Sequence, residues 1–385
     1  MNLENEYLIK LCRELISTPS LSGQEKEVAQ LIKKRMTDLG YDEVSIDEYG
    51  SVIGRIKGEG DGPTIVFDGH MDTVDIGNIS DWKFDPYKAE IENRRIYGRG
   101  TSDMKGALSA MIYAASMFTE NRLPGDLYVT CTVHEEMFEG VALQHILKQI
   151  DADYVIIGEA SNLNLKTGQR GRAEINVITH GKSCHSANPQ HGINAVYLMQ
   201  TALQEIKKIK LPTDEHLGTG IMELTDIISK PYPGASVVPA ECLVTYDRRL
   251  LVGETEEKII EDFSRLSDLL DKNEVEVKLT EGKALCYTGK EIRTKRFFPA
   301  WYFDQNESFV QNVLKGLHNV SIDAGLQIYS FCTNGSSSAG IFNIPTLGFG
   351  PSEEHQAHVS DEYIEIEQLQ KAAEGYMAIA KALIS

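Results

Sequence analysis

The sequence predicts an α/β fold, a mixed sheet with helices on both faces, interrupted by a smaller α+β insert. Three observations predict it. Over roughly the first 160 residues, β-branched and aromatic runs alternate with helical repeats. From Gly171 the order changes to strand, helix, strand, strand, helix, strand, which makes one antiparallel sheet covered by two helices. A helix, a glycine-rich loop, a strand and a long closing helix then resume the first pattern. Residues 1–170 and 288–385 are therefore expected to form one discontinuous domain, and residues 171–287 the insert.

Taken in order, residues 4–17 read as a helix stopped near Pro19. Ser22-Gly23-Gln24-Glu25 has the pattern of a capping box, and Val28, Leu31, Ile32, Met36 and Leu39 then share one helical face up to Gly40. Strands follow at Glu43–Asp47 and Val52–Lys57, and the turn Gly58–Pro63 leads into a buried strand, Thr64–Phe67. Residues 73–100 form a long irregular segment, of the kind that carries function in compact domains. A helix begins near Met104, because Met104, Ala107, Leu108, Met111, Ala115 and Phe118 recur at helical spacing. Leu127–Val133 and Tyr154–Ile157 are further strands. The insert supplies strands at Arg172–Gly181, Gly220–Ser229, Glu241–Leu250 and Val275–Glu281, and helices at Asn194–Lys208 and Glu254–Leu270. Phe309–Leu317 is a helix, Thr333–Ser336 a loop, Thr346–Phe349 a strand and Glu367–Leu383 the last helix.

Composition narrows the function. A formal net charge of -19 argues against a nucleic-acid or anionic-membrane partner. No apolar run is long enough to span a bilayer, and the opening Met1-Asn2-Leu3-Glu4-Asn5-Glu6 lacks the features of a signal peptide. The six cysteines are scattered without a Cys-x-x-Cys pair, which suits free thiols in a reducing cytoplasm.

The chemistry gathers where strands end. His70 follows Gly69 at the carboxyl end of its strand, the end at which open α/β sheets bind ligands. Asp72 lies two residues on, placed to accept a hydrogen bond from the far imidazole nitrogen and so fix the tautomer of a metal-bound ring. Two other strands end in Glu135-Glu136 and in Glu159, and Asp103 sits just before a helix. Each of these residues alone is ordinary: a structural histidine, solvated acids, an N-cap. Together with His358 they offer two histidines and several carboxylates, enough for two metals bridged by Asp103. Mixed N/O ligation suits zinc and tolerates cobalt or manganese. The pattern leaves open which of Glu135 and Glu136 is a ligand and which a base.

Five motifs in this order carry a resemblance: Gly69-His70-Met71-Asp72-Thr73-Val74, Gly98–Gly106, His134-Glu135-Glu136, Gly158-Glu159 and Gln356-Ala357-His358. Across almost the whole chain the sequence resembles the zinc aminoacylase and carboxypeptidase family that includes acetylornithine deacetylase, succinyl-diaminopimelate desuccinylase and glutamate carboxypeptidase. Gly168–Arg172 and Phe331–Gly335 are most similar to a bacterial subgroup of selenium-metabolism-linked hydrolases.

The resemblance implies His70 and Glu159 on one zinc, Glu136 and His358 on the other, and Asp103 bridging. It makes Asp72 the orienting group of His70 and Glu135 the general base. It makes the insert a lid and dimerisation domain. Within the insert, His185 in Ser183–Pro189 matches a histidine that reaches into an active site. Arg249 matches the arginine that holds a substrate carboxylate, with Arg248 as its alternative, and Ser236 stands where the family often has asparagine. Asn334 and Gly335 fall in the implied substrate-binding loop. The expected activity is hydrolysis of the amide bond of a small N-acyl amino acid or short peptide with a free carboxylate, by a cytoplasmic homodimer. A dipeptidase, an aminopeptidase, or a ligand-binding relative without activity is the alternative.

Overall fold

The computed structural model describes residues 3–271 and 273–384. The chain divides into two compact units. One comprises the residues up to Gln169, Lys283–Arg293 and the residues from Trp301 onward; the other comprises Arg170–Gly282 and Thr294–Ala300. Residues 283–287, grouped with the insert on sequence grounds, thus fold with the first unit, as one arm of the hairpin Glu281–Leu285 and Glu291–Lys295.

The first unit is built on a mixed sheet. Its strands lie in the order Glu43–Ile46, Val52–Ile56, Leu127–Thr132, Ile65–His70, Tyr154–Ile157, Thr346–Gly348, Leu165–Gln169 and Trp301–Tyr302, with Leu326–Tyr329 also pairing Leu165–Gln169. The Ile65–His70 strand is buried along its whole length and runs parallel to both neighbours. A strand covered on both faces needs apolar residues at odd and even positions alike. Val66 points to a cluster with Leu143 and Leu147 of the helix Val141–Leu147. Phe67, on the other face, packs against Tyr376 of the closing helix Ile366–Leu383, with ring centroids 5.4 Å apart.

Three local expectations change. The helix Lys26–Asp38 starts without a side-chain cap, because the Ser22 hydroxyl bonds Asp72 instead. The segment 73–100 is not wholly irregular: Glu90–Glu92 and Arg95–Tyr97 form a small antiparallel sheet with Tyr363–Glu365. The single helix expected at Glu254–Leu270 is two, Glu256–Glu261 and Leu266–Leu269. Between them Phe263, Ser264 and Leu266 bond three residues back rather than four, a tighter winding that tucks Phe263 into the core.

The second unit is an antiparallel sheet in the order Ile221–Lys230, Glu241–Leu250, Gly171–His180, Val275–Leu279, with Phe297–Phe298 also pairing Gly171–His180. Burial alternates strictly along Glu241–Leu250, and the inward residues pack against Ala195, Met199, Ala202 and Ile206 of the helix Ala195–Ile206 and against Ile259 and Phe263. The edge strand Ile221–Lys230 differs, with Ile221, Leu224, Ile227 and Ile228 all exposed.

Candidate metal centre

The parallel register places one end of three strands side by side. His70 lies opposite Thr132 of the neighbouring strand, and Asp68 opposite Ile157 of the other. The residues that leave these strands therefore emerge at one edge of the sheet: His70 itself, Glu135 and Glu136 after Thr132, and Glu159 after Ile157. A positive φ of 56° at His134 turns the chain there.

Asp103 comes to the same edge from a different direction. It lies in an irregular turn, Thr101–Lys105, ahead of the helix Gly106–Ser116, with non-helical φ and ψ of -126° and 94°. Two glycines let that turn settle directly on the sheet. A Cβ at Gly69 would meet the Met104 and Met111 methyls at 2.6 and 2.8 Å, and one at Gly158 would meet the same methyls at 2.7 and 2.6 Å. The glycines beside His70 and Glu159 are thus what allows Asp103 to reach between them.

Two clusters result, and they share Asp103: His70, Asp103 and Glu159 form one, and Asp103, Glu136 and His358 the other. One carboxylate oxygen of Asp103 lies 2.8 Å from His70 Nε2, and the other 3.1 Å from His358 Nε2. Glu159 Oε1 is 3.5 Å from His70 Nε2, and the Glu136 oxygens are 3.2 and 3.0 Å from His358 Nε2. Glu135 belongs to neither cluster. Its Oε2 stands 4.0 Å from His70 Nε2, and its Oε1 is buried without a hydrogen-bond partner among the described residues.

The orientation of His70 differs from the expectation. Nδ1 donates to the Asp72 main-chain carbonyl at 2.9 Å, while the Asp72 carboxylate is 3.6 Å away. That carboxylate instead accepts from Ser22 Oγ at 2.6 Å and from the N–H groups of Glu135 and Glu136 at 3.1 and 3.3 Å. Asp72 therefore holds the turn that carries both glutamates, and its carbonyl fixes the imidazole tautomer. A carbonyl oxygen only accepts, so Nδ1 keeps its hydrogen and Nε2 faces the cluster.

Residues 66–382 match peptidase family M20/M25/M40. The chain belongs to this family. It is 35% identical to YgeY, an uncharacterized protein of Escherichia coli strain K12, over 97% of this chain and 93% of that one. It is 27% identical to the succinyl-diaminopimelate desuccinylase of Vesicomyosocius okutanii, over 98% and 99% of the two chains. Among solved structures, the aminopeptidase PepT of Bacillus cereus superposes with a TM-score of 0.75 at 22% identity, covering 99% of each chain, a likeness of fold. As a member of M20/M25/M40, the protein is a metal-dependent hydrolase of amide or peptide bonds.

The electrostatics of the site fit divalent cations. Burial, then the charges of Glu159, Glu136 and Glu139, push the Glu135 carboxyl well above its ordinary range, and burial and Asp103 do the same to Glu159. Burial and Asp103 bring Glu136 up to about 7. Burial would raise Asp103 as well, but its bonds to His358 and His70 outweigh that and hold it below the usual carboxylate range. Hydrogen bonds to Asp103 and Glu136 push the His358 imidazole up to about 10. Three acids and two histidines in the two clusters form a donor set that divalent ions would neutralise.

A pH dependence of metal binding follows. In the metal-free protein His358 holds its proton up to about pH 10 and Glu136 holds one up to about pH 7. An ion held by His358 and Glu136 would displace both, so protons would be released on binding and affinity would rise with pH. Calorimetric zinc titrations from about pH 6 to about pH 8, in buffers of different ionisation enthalpy, are expected to show tighter binding at higher pH and net proton release. A pH-independent affinity would contradict binding by His358 and Glu136.

The remaining sequence candidates fall into place unevenly. In the second unit, the His185 segment pairs with that of Ser236: His185 bridges Val237, and Ser186 N donates to Ser236 O at 3.0 Å. His185 is exposed and accepts from Ala187 N at 3.0 Å through Nδ1. Arg249 is one-third exposed and forms an ion pair with Asp247, Nε to Oδ1 at 2.9 Å. Arg248, its alternative, is buried and paired with both Glu254 and Asp262, which makes it a structural residue of that unit. Asn334 is also internal: its amide donates to Asp68 at 2.8 Å and Thr132 at 2.9 Å and accepts from Gly140 N at 2.6 Å. Both of its amide hydrogens are committed inside the protein. Gly335 N donates to Thr333 Oγ1, and the Trp301 indole lies where a Gly335 side chain would be. Sequence reasoning did not single out Ser22, Arg99 or Glu362 as supports of the site. Arg99 stands in the Gly98–Gly106 motif and Glu362 follows His358 closely, which is the signal that could have found them.

Proposed function

We propose that the protein is a two-metal amidohydrolase, with zinc as the fitting ion, that cleaves a small N-acyl amino acid or short peptide bearing a free carboxylate. The observation that carries this reading is Asp103, which offers one oxygen to each histidine-containing cluster, next to Glu135, whose Oε1 has no hydrogen-bond partner among the described residues. When bound, the ions supply Lewis acidity that acidifies a water and polarises the amide carbonyl. Glu135 takes the proton from the attacking water as its oxygen bonds the carbonyl carbon, and delivers it to the nitrogen as the C–N bond breaks. His185 donates to the developing oxyanion, and Arg249 binds the substrate carboxylate. Asp72 keeps Glu135 and His70 in place through its own hydrogen bonds.

We assign the insert to lid and dimer formation. Its edge strand Ile221–Lys230 leaves apolar side chains exposed, which suits pairing with a second copy across a two-fold axis. Six free cysteines suit a reducing cytoplasm. Among the described residues no helix is long and apolar enough to cross a membrane.

The test is a hydrolysis screen over acetyl-, succinyl-, formyl- and carbamoyl-amino acids and dipeptides, with zinc, cobalt or manganese. Cleavage is expected to require the free carboxylate and not a free amine. The fold likeness to the aminopeptidase PepT supports a second reading. Cleavage of amidated substrates with free amines, at rates equal to the free acids, would favour it over ours.

A further inference from the structure

A buried ion pair lies behind the shared ligand. Arg99 and Glu362 have side chains 3% and 0% exposed, and Arg99 donates to Glu362 Oε2 at 2.8 Å. The same carboxylate accepts from three N–H groups of the turn that carries Asp103: Gly100 N at 3.1 Å on Oε2, and Ser102 N at 2.7 Å and Asp103 N at 3.1 Å on Oε1. These N–H groups lie in the non-helical turn ahead of the helix Gly106–Ser116, and the buried carboxylate satisfies them. Arg99 reaches the other way, donating to the carbonyl of Val359, the residue after His358, at 3.1 Å. Ser102 Oγ adds a bond to Ser352 Oγ at 2.8 Å on the segment leading to His358.

The two clusters depend on these contacts unequally. His70 and Glu159 are held by strand ends inside the sheet. His358 sits on a loop, with a side chain 52% exposed and φ of 63°. Its distance from Asp103 is set by whatever joins its loop to the Asp103 turn, and Arg99–Glu362 joins them.

We infer that Glu362, together with Arg99, is a positioning residue that sets the separation of Asp103 and His358 and thereby governs affinity at the metal position shared by Asp103, Glu136 and His358. The inference rests on the two-metal reading above. Partners of this kind behind metal ligands typically contribute about 10–100-fold in affinity.

The test is zinc titration of metal-free protein by calorimetry, with Glu362→Gln, Glu362→Asp and Arg99→Lys beside the wild type, and thermal unfolding of each metal-free protein. Glu362→Gln leaves Arg99 buried without its counter-charge and is the variant most exposed to a folding defect. Glu362→Asp keeps the charge but draws the carboxylate back by one methylene, so it cannot serve Arg99 and all three N–H groups together. In the folded variants the event at Asp103, Glu136 and His358 is expected to weaken about 10–100-fold, and the other by less, since it shares only Asp103 with the displaced turn; equal weakening of both would overturn the inference. Loss of melting temperature with both zinc constants unchanged in Glu362→Asp or Arg99→Lys would overturn the inference and leave the pair a purely structural one. A wild type that binds fewer than two zincs would instead overturn the reading it rests on. If none of the three variants folds, the pair serves the fold as a whole, which also overturns the inference.

Discussion

Replacing Glu135 by alanine is expected to lower kcat about 10²–10⁴-fold while both metals stay bound. The geometry separates this residue from its neighbour. Glu136 turns both carboxylate oxygens to His358 and completes a cluster with Asp103, whereas Glu135 lies outside both clusters with one oxygen unpartnered. Its burial among other acids raises its carboxyl, which moves it toward the range in which a general base accepts a proton and returns it at neutral pH. Metal content by mass spectrometry and turnover of the best substrate from the screen measure the two halves of the prediction. Turnover near the wild-type rate would remove Glu135 from the mechanism, and loss of metal with activity would make it a ligand.

The second large effect is a recovery. If the insert forms a two-fold dimer and His185 serves the neighbour's site, Glu135→Ala and His185→Ala chains are each nearly inactive alone. In a mixed dimer one site inherits both lesions, while the other has an intact Glu135 and receives an intact His185. Random reassortment makes about half the dimers mixed, each with one working site of two, so activity returns to roughly a quarter of wild type. Native mass spectrometry confirms the exchange. Confirmed exchange with no recovery would place His185 in its own subunit's chemistry or outside the chemistry altogether.

What the sequence made legible was local. Strand ends rich in His, Glu and Asp stood out because a β-branched run stopped at each, and the structure lines three of those ends up through parallel pairing. The nearness of Asp103 to His70 also has a sequence trace, in Gly69 and Gly158, although its cause, the Met104 and Met111 methyls pressed on the sheet, is a tertiary contact. Where the reading went astray, a distant partner had changed the outcome. Ser22 had the spacing of a helix cap but bonds Asp72, fifty residues away in sequence. Asp72 had the spacing of a carboxylate behind His70, but Ser22 and the turn of Glu135 and Glu136 take that carboxylate, which leaves the carbonyl to the imidazole. Asn334 fell in the implied substrate-binding loop, and its amide hydrogens go to Asp68 and Thr132 and its oxygen accepts from Gly140 N. Short polar side chains serve equally well as caps, ligands or internal pins, and only the neighbours brought by folding decide which.

The central claim is a pair of metals held through one shared carboxylate, and equilibrium zinc titration of the wild type and of Asp103→Ala, with metal content measured after desalting, tests it most directly. The wild type is expected to bind two zincs per chain. Because both clusters include Asp103, the alanine variant is expected to weaken both events together. A wild type saturated at one zinc, or an Asp103→Ala protein that keeps two sites at wild-type affinity, would contradict it.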